Sequence, residues 1–208
     1  MSVLFSNEEF AKLKEYLVLY RCVLKNMTTR MDILLEDFSN LQSNNPIEHV
    51  KCRLKTPESI AAKLHRQGLP LTAESAKNHL ADIAGIRCIC PYTKDITFIA
   101  QVLKSQSDLK IISEKDYVNN PKPSGYRSYH LIFEVPIYLS CNEERLPVEV
   151  QIRTQAMDFW ATLEHKARYK YKDQMPQHLS HELQECAERI SDLDNRMLLI
   201  QELVDIAY

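Results

Sequence analysis

Pro147-Val148-Glu149-Val150-Gln151-Ile152-Arg153-Thr154 alternates apolar and polar residues one by one. With a side-chain period of two, this is a β-strand that turns Val148, Val150 and Ile152 one way and Glu149, Gln151 and Arg153 the other. A strand that buries one face does not need an acid, an amide and a guanidinium in a row on the other merely to be solvated. Taken alone, the strand leaves a solvated sheet face and part of a site both open.

Outward from this strand the pattern is mixed α/β. Ser128 to Leu139 reads as its antiparallel neighbour, and Gln155 to Tyr171 as a helix that follows it directly. Ile83 to Cys90 is an apolar strand ended by Pro91, Thr93 to Ser105 a helix, and Leu109 to Ile112 a short strand leading into a polar loop from Lys115 to Gly125. Thr56-Pro57 has the form of an N-cap followed by Pro at the first helical position, and Gly68 stops that helix near Gln67. At the ends, Phe10, Leu13, Leu17, Tyr20, Leu24, Met27, Met31, Leu34, Phe38 and Leu41 recur at alternating three and four, so residues 7 to 42 form a long amphipathic helix. Leu183, Cys186, Ile190, Leu193, Met197, Ile200 and Val204 repeat the device in a second helix, 179 to 206. These seams can pack inside one subunit or between subunits. The expectation is an α+β (mixed α/β) fold in a single domain, 1–208, with an N-terminal helix (1–45), a catalytic core (46–171) and a C-terminal helix (172–208).

Composition narrows the function classes. At 208 residues with 45% hydrophobic and 26% charged residues, the chain has the make-up of a soluble globular domain. A net charge of −2 gives no general attraction to nucleic acid or anionic membrane, so any polyanion must meet a local basic cluster. The first residues turn acidic where a signal peptide would be basic, and no long apolar run follows; a cytoplasmic protein with no membrane partner is expected. Cys22, Cys52, Cys88, Cys90, Cys141 and Cys186 include no C-x-x-C pair, which argues against structural zinc or a disulfide framework.

Only Gly68, Gly85 and Gly125 are available, so no glycine-rich phosphate cradle can be written. Cationic side chains must hold any bound phosphate. Lys51, Arg53 and Lys55 alternate on one extended face, Lys63 and Arg66 follow on the next helix, and Arg87 stands on a neighbouring strand. Asp82 and Glu149 add two carboxylates able to hold Mg²⁺ or to orient a hydroxyl. In Lys122-Pro-Ser-Gly-Tyr-Arg-Ser-Tyr-His130 a glycine turn delivers Tyr126, Ser128 and His130 to one face, a stacking ring with hydrogen-bonding groups suited to a purine nucleotide.

Four motifs, in order, carry a resemblance: His49-Val-Lys-Cys-Arg-Leu-Lys-Thr-Pro-Glu-Ser59, Asp82-Ile-Ala-Gly-Ile-Arg87, Ser124-Gly-Tyr-Arg-Ser-Tyr-His130, and Glu149-Val-Gln-Ile-Arg-Thr-Gln-Ala-Met-Asp-Phe-Trp160 with Leu163-Glu-His165. The chain resembles the small alarmone synthetases of the RelA/SpoT homologue superfamily, most nearly the RelP type; His49 stands where RelQ-type members share an aromatic residue. The resemblance implies a nucleotidyltransferase-like central mixed sheet flanked by the two long helices. It also implies transfer of the β,γ-pyrophosphate of ATP to the 3′-hydroxyl of GDP or GTP, giving ppGpp or pppGpp and AMP.

By the same resemblance, Arg53 and Arg87 sandwich the adenine while Lys55, Lys63 and Arg66 hold the ATP phosphates. Asp82 ligates Mg²⁺, and Glu149 holds the metal or acts as general base. Tyr126 stacks on guanine, with Lys115, Lys122, Ser124, His130, Gln151 and Asp158 shaping the acceptor pocket; Arg153 receives no role. The superfamily's small members imply a homotetramer. No His is followed by Asp, so the hydrolase pair of the longer members is missing and alarmone hydrolysis is not expected. The competing readings are a non-catalytic nucleotide- or RNA-binding oligomer, with RNA binding possible but not indicated, and a nucleotidyltransferase acting on RNA or protein.

Overall fold

The computed structural model describes residues 5–41, 44–171 and 175–207, so the expected helix end at 42 and the core boundary at 172 lie outside the described residues. Helix α1 (Asn7–Leu41) leads into strand β1 (His49–Leu54), and two short helices follow, α2 (Pro57–Arg66) and α3 (Ala73–His79). Then come β2 (Ala84–Cys90), α4 (Thr93–Lys104), β3 (Lys110–Asp116), β4 (Tyr129–Tyr138), β5 (Glu143–Thr154), α5 (Gln155–Lys170) and α6 (Gln177–Ala207). The strands form one mixed sheet in the order β1-β2-β5-β4-β3, with β2 and β5 parallel and every other pair antiparallel.

The alternation of β5 sorts as its sequence requires. Val148, Val150 and Ile152 are fully buried and join Leu131, Phe133, Ile86 and Cys88 in the core. Leu13, Leu17, Tyr20, Val23, Met27 and Met31 of α1 pack onto this apolar face, beside Ile96, Ile99 and Leu103 of α4. The opposite face carries the polar residues in rows set by register. Lys51, Arg87, Gln151, His130 and Lys115 lie side by side across the five strands, and Arg53, Gly85 and Glu149 form the next row.

Local chemistry explains the element boundaries. The hydroxyls of Thr56 and Thr72 accept from the backbone N–H of Ser59 and Ser75, capping α2 and α3. Thr154 ends β5 and caps α5 by accepting from Met157 N, so strand and helix join without a loop. The sequence reading missed α3, a seven-residue helix too short for a periodic stripe. It also ended β3 early: the strand runs on to Asp116, and Lys115 lies in it rather than in a loop. Tyr126 and Ser128 precede β4 instead of belonging to it.

The two terminal seams behave differently. That of α1 faces inward through most of its length. On α6, Leu193, Met197, Ile200 and Val204 are about half exposed, while the helix docks on the core through other residues. Thr154 Oγ1 donates to Asp194 at 2.6 Å, Tyr92 Oη donates to Gln201 at 2.9 Å, Trp160 Nε1 donates to the Leu183 carbonyl, and Ala187 packs beside Trp160. No described helix is long and apolar enough to cross a membrane. All six cysteines are free, and Cys88 and Cys90 are buried as core residues.

Candidate active site

The polar rows of the sheet floor two adjoining cavities, of about 460 Å³ and about 750 Å³, which share Arg53, Asp82, Arg87 and Gln151 as a common wall. The first also takes in Lys51, Lys55, Gly85 and Glu149. Register pairs Arg53 with Gly85 and Lys51 with Arg87, which makes Arg53 and Arg87 diagonal neighbours. Positions so related stand roughly 7–8 Å apart, and both side chains line the first cavity. Gly85 leaves the floor between Arg53 and Glu149 open: a Cβ there would come no closer than 3.8 Å to any neighbour, so a cavity, and not crowding, occupies the space.

Asp82 stands just before β2 and faces Lys55 and Lys63. Both ammonium groups donate to its Oδ2, at 2.5 and 2.6 Å, while its Oδ1 is buried without a hydrogen-bond partner among the described residues. Burial alone would raise the Asp82 carboxyl, but the two lysines outweigh it and hold it below the usual carboxylate range. Burial lowers Lys55 despite Asp82 beside it, so this ammonium is held where an added anion would relieve its desolvation.

The second cavity is aromatic and cationic. Tyr117, Tyr126 and His130 meet edge to face at centroid distances of 5.3 to 6.1 Å, and Lys122 Nζ lies 4.7 and 4.8 Å from the Tyr117 and Tyr126 rings. Gly125 adopts φ +85° at the turn carrying these groups, and a Cβ there would meet Ala187 of α6 at 2.5 Å. The turn can therefore lie against α6 only as glycine.

Glu149 lines the first cavity and contacts the second through its neighbours. Its Oε2 accepts from Gln151 Nε2 at 2.8 Å and its Oε1 stands 3.3 Å from His130 Nδ1, whose Nε2 is 2.8 Å from Tyr126 Oη. Burial pushes the Glu149 carboxyl up, and His130 and Gln151 more than offset it, leaving it below its ordinary value.

Most expected site residues converge here. Arg53, Lys55, Asp82, Arg87, Glu149 and Gln151 line the first cavity, and Arg66, Lys122, Ser124, Tyr126 and His130 line the second; Lys63 reaches it through Asp82. Three residues stand apart. Lys115 shares a row with His130 but is exposed at the sheet edge and lines neither cavity. Asp158 sits behind the wall, its Oδ1 taking Arg87 Nη1 at 2.9 Å and Arg153 Nη1 at 3.2 Å. Ser128, expected to face a nucleotide, is wholly buried beneath Arg153. Sequence reading overlooked Tyr117, Arg168 and Lys166 around the second cavity and gave Arg153 no role. A tyrosine two residues after Lys115 was the available signal for the first of them.

Two carboxylates set among six or more cations and a cluster of rings, on the open face of a mixed sheet, define an enzyme of the polyphosphate-handling α+β class. A family profile described as "Region found in RelA / SpoT proteins" matches residues 52–174. The chain is 45% identical over 192 residues to the GTP pyrophosphokinase YwaC of Bacillus subtilis, covering 92% of this chain and 91% of that protein. It is 35% identical to the GTP pyrophosphokinase YjbM of the same organism, covering 88% and 86%. Among solved structures, the small alarmone synthetase 1 of Bacillus subtilis bound to its product pppGpp superposes with a TM-score of 0.86 at 34% identity, covering 92% of this chain and 97% of that one. The small alarmone synthetase 2 of that organism superposes with a TM-score of 0.83 at 44% identity, over 91% and 97%. The chain belongs to the RelA/SpoT family, and within it to the small alarmone synthetases.

Proposed function

We propose that this protein is a GTP pyrophosphokinase that transfers the β,γ-pyrophosphate of ATP to the 3′-hydroxyl of GDP or GTP. The observation that carries this reading is the shared wall: a cation-lined cavity and an aromatic one meet at Arg53, Asp82, Arg87 and Gln151, and Glu149 of the first is held by Gln151 of that wall and faces His130 of the second. ATP fits the first, its adenine at Arg53 and Arg87 and its phosphates toward Lys55 and Lys63, with Arg66 reaching them from the second cavity across the shared wall. The guanine nucleotide fits the second, stacking on Tyr126 with Lys122, Ser124, His130 and Gln151 around it.

Glu149, held ionised by His130 and Gln151, takes the proton of the ribose 3′-hydroxyl. The freed 3′-oxygen bonds to the β-phosphorus, the bond from that phosphorus to the α–β bridging oxygen breaks, and AMP departs with that oxygen. Lys55 and Lys63 face the charge that develops there.

The residues also fit a divalent cation. Asp82 Oδ1 is a hard oxygen, buried and unpartnered among the described residues, and Glu149 lines the same cavity. Mg²⁺ is commonly held by one or two carboxylates plus substrate phosphates, so two suffice. When bound, it would supply charge neutralisation on the ATP phosphates.

The finer assignments are part of the same proposal: the RelP type, a cytoplasmic setting, and a homotetramer whose contacts include the half-exposed Leu193, Met197, Ile200 and Val204 stripe on α6. The test is Glu149→Gln, which keeps the shape and removes the base. AMP formation should fall about 10²-fold or more while GDP binding stays within several-fold. An unchanged rate would refute the role of Glu149.

A further inference from the structure

Arg153 stands in the β5 motif and at the wall of the second cavity, without an assigned role; it is 3% exposed, yet its guanidinium is well supplied with acceptors. Nε donates to Ser128 Oγ at 3.2 Å, Nη1 to Asp158 Oδ1 at 3.2 Å, and Nη2 to both Tyr126 Oη at 2.5 Å and Gln151 Oε1 at 2.6 Å. Arginine has donors and no acceptor, so every one of these bonds has a fixed direction.

Two of them constrain groups farther on. Because Gln151 Oε1 is taken by Arg153, its amide nitrogen is the end that turns to Glu149 Oε2. Because Tyr126 Oη accepts from Arg153, its own proton is free for His130 Nε2. An imidazole that accepts at Nε2 carries its proton on Nδ1, the nitrogen 3.3 Å from Glu149 Oε1. A doubly protonated His130 would leave the tyrosine hydroxyl facing two donors. The five groups close a ring: Arg153 to Tyr126 to His130 to Glu149, and Arg153 to Gln151 to Glu149.

We propose that Arg153 is the positioning residue of Glu149, setting the Gln151 amide and the His130 tautomer so that each aims an N–H at one carboxylate oxygen. The carboxylate is then held in one rotamer with both oxygens supported, and it meets the acceptor hydroxyl already oriented. This rests on the reading of Glu149 as the base, but the ring itself can be observed without turnover.

The experiment is ¹⁵N NMR of histidine-labelled protein at neutral pH without nucleotide, combined with steady-state kinetics of Arg153→Met and Tyr126→Phe. In the wild type, His130 should show a proton on Nδ1 and an unprotonated Nε2. In Tyr126→Phe, which removes a single hydroxyl and leaves Arg153 in place, that preference should be lost. Arg153→Met should lose it as well and lower kcat about 10-fold or more, with the KM for ATP within about threefold of wild type. A wild-type His130 protonated on Nε2, or a tautomer unmoved by Tyr126→Phe, overturns the proposal even if Arg153→Met fails to fold. A parallel rise in the ATP KM also overturns it, because a merely structural loss would disturb both cavities. If Glu149→Gln kept full activity while the tautomer results held, the base assignment would fall and the ring would stand.

Discussion

Glu149 and His130 meet across adjacent strands, Oε1 to Nδ1 at 3.3 Å, one row apart in the register. That contact opposes the upward push of burial and keeps the Glu149 carboxyl below its ordinary range. A base with a lowered pKa is ionised above that value and is lost as the pH falls through it. His130→Asn removes a main lowering influence, so the acid limb of the kcat profile should move to higher pH. A profile carried from about pH 7 down to about pH 3 checks this; an unmoved limb would show that His130 does not tune Glu149.

Asp82 predicts a link between stability and substrate. Asp82→Asn leaves the Lys55 and Lys63 ammoniums, both less than a third exposed, beside a neutral amide. The loss should be about 1–3 kcal/mol, toward the lower end because the groups retain some solvent contact. The carboxyl is lowered on folding, so its stabilisation is complete above the unfolded value and disappears as the pH drops through the folded one. Urea unfolding of the variant should therefore show a shallower loss of stability under acid than the wild type. A non-hydrolysable ATP analogue should restore more of the midpoint in the variant, its phosphates replacing the missing anion.

Gly125 ties the acceptor turn to the C-terminal helix. Gly125→Ala meets both a φ of +85° and Ala187 at 2.5 Å. A cost of about 2 kcal/mol or more is expected, with the KM for GDP rising more than that for ATP. Adding Ala187→Gly should relieve the contact but not the backbone strain, so rescue should be partial. Denaturant unfolding of the single and double variants measures both parts.

The exposed stripe of α6 predicts assembly. Light scattering should give a mass near four times the 24.2 kDa chain, and Met197→Glu combined with Ile200→Glu should shift it to smaller species. A wild-type monomer would remove the assignment of this face.

Legibility in the sequence followed the range of the interaction. The period of β5 exposed the polar face because alternation is a local property, and the three-four spacing of Leu13, Leu17 and Tyr20 marked the inner stripe of α1. On α6 the same spacing marked an apolar stripe but not its partner. The helix docks first through Leu183 and Ile190, which belong to that stripe and pack beside Ala187, and then through Asp194 and Gln201, which no hydropathy rule would select. Most residues lining the two cavities stand in the quoted motifs, but the Arg153 ring was not legible there. It joins residues that become neighbours only when β4 and β5 pair in register and α5 turns back over the strand end.

Product identification tests pyrophosphate transfer most directly. Purified protein incubated with ATP, Mg²⁺ and GDP or GTP should yield AMP in step with a guanosine nucleotide carrying a 3′-diphosphate. Release of inorganic pyrophosphate with nucleotide joined to an acceptor, or no AMP at all, would contradict it.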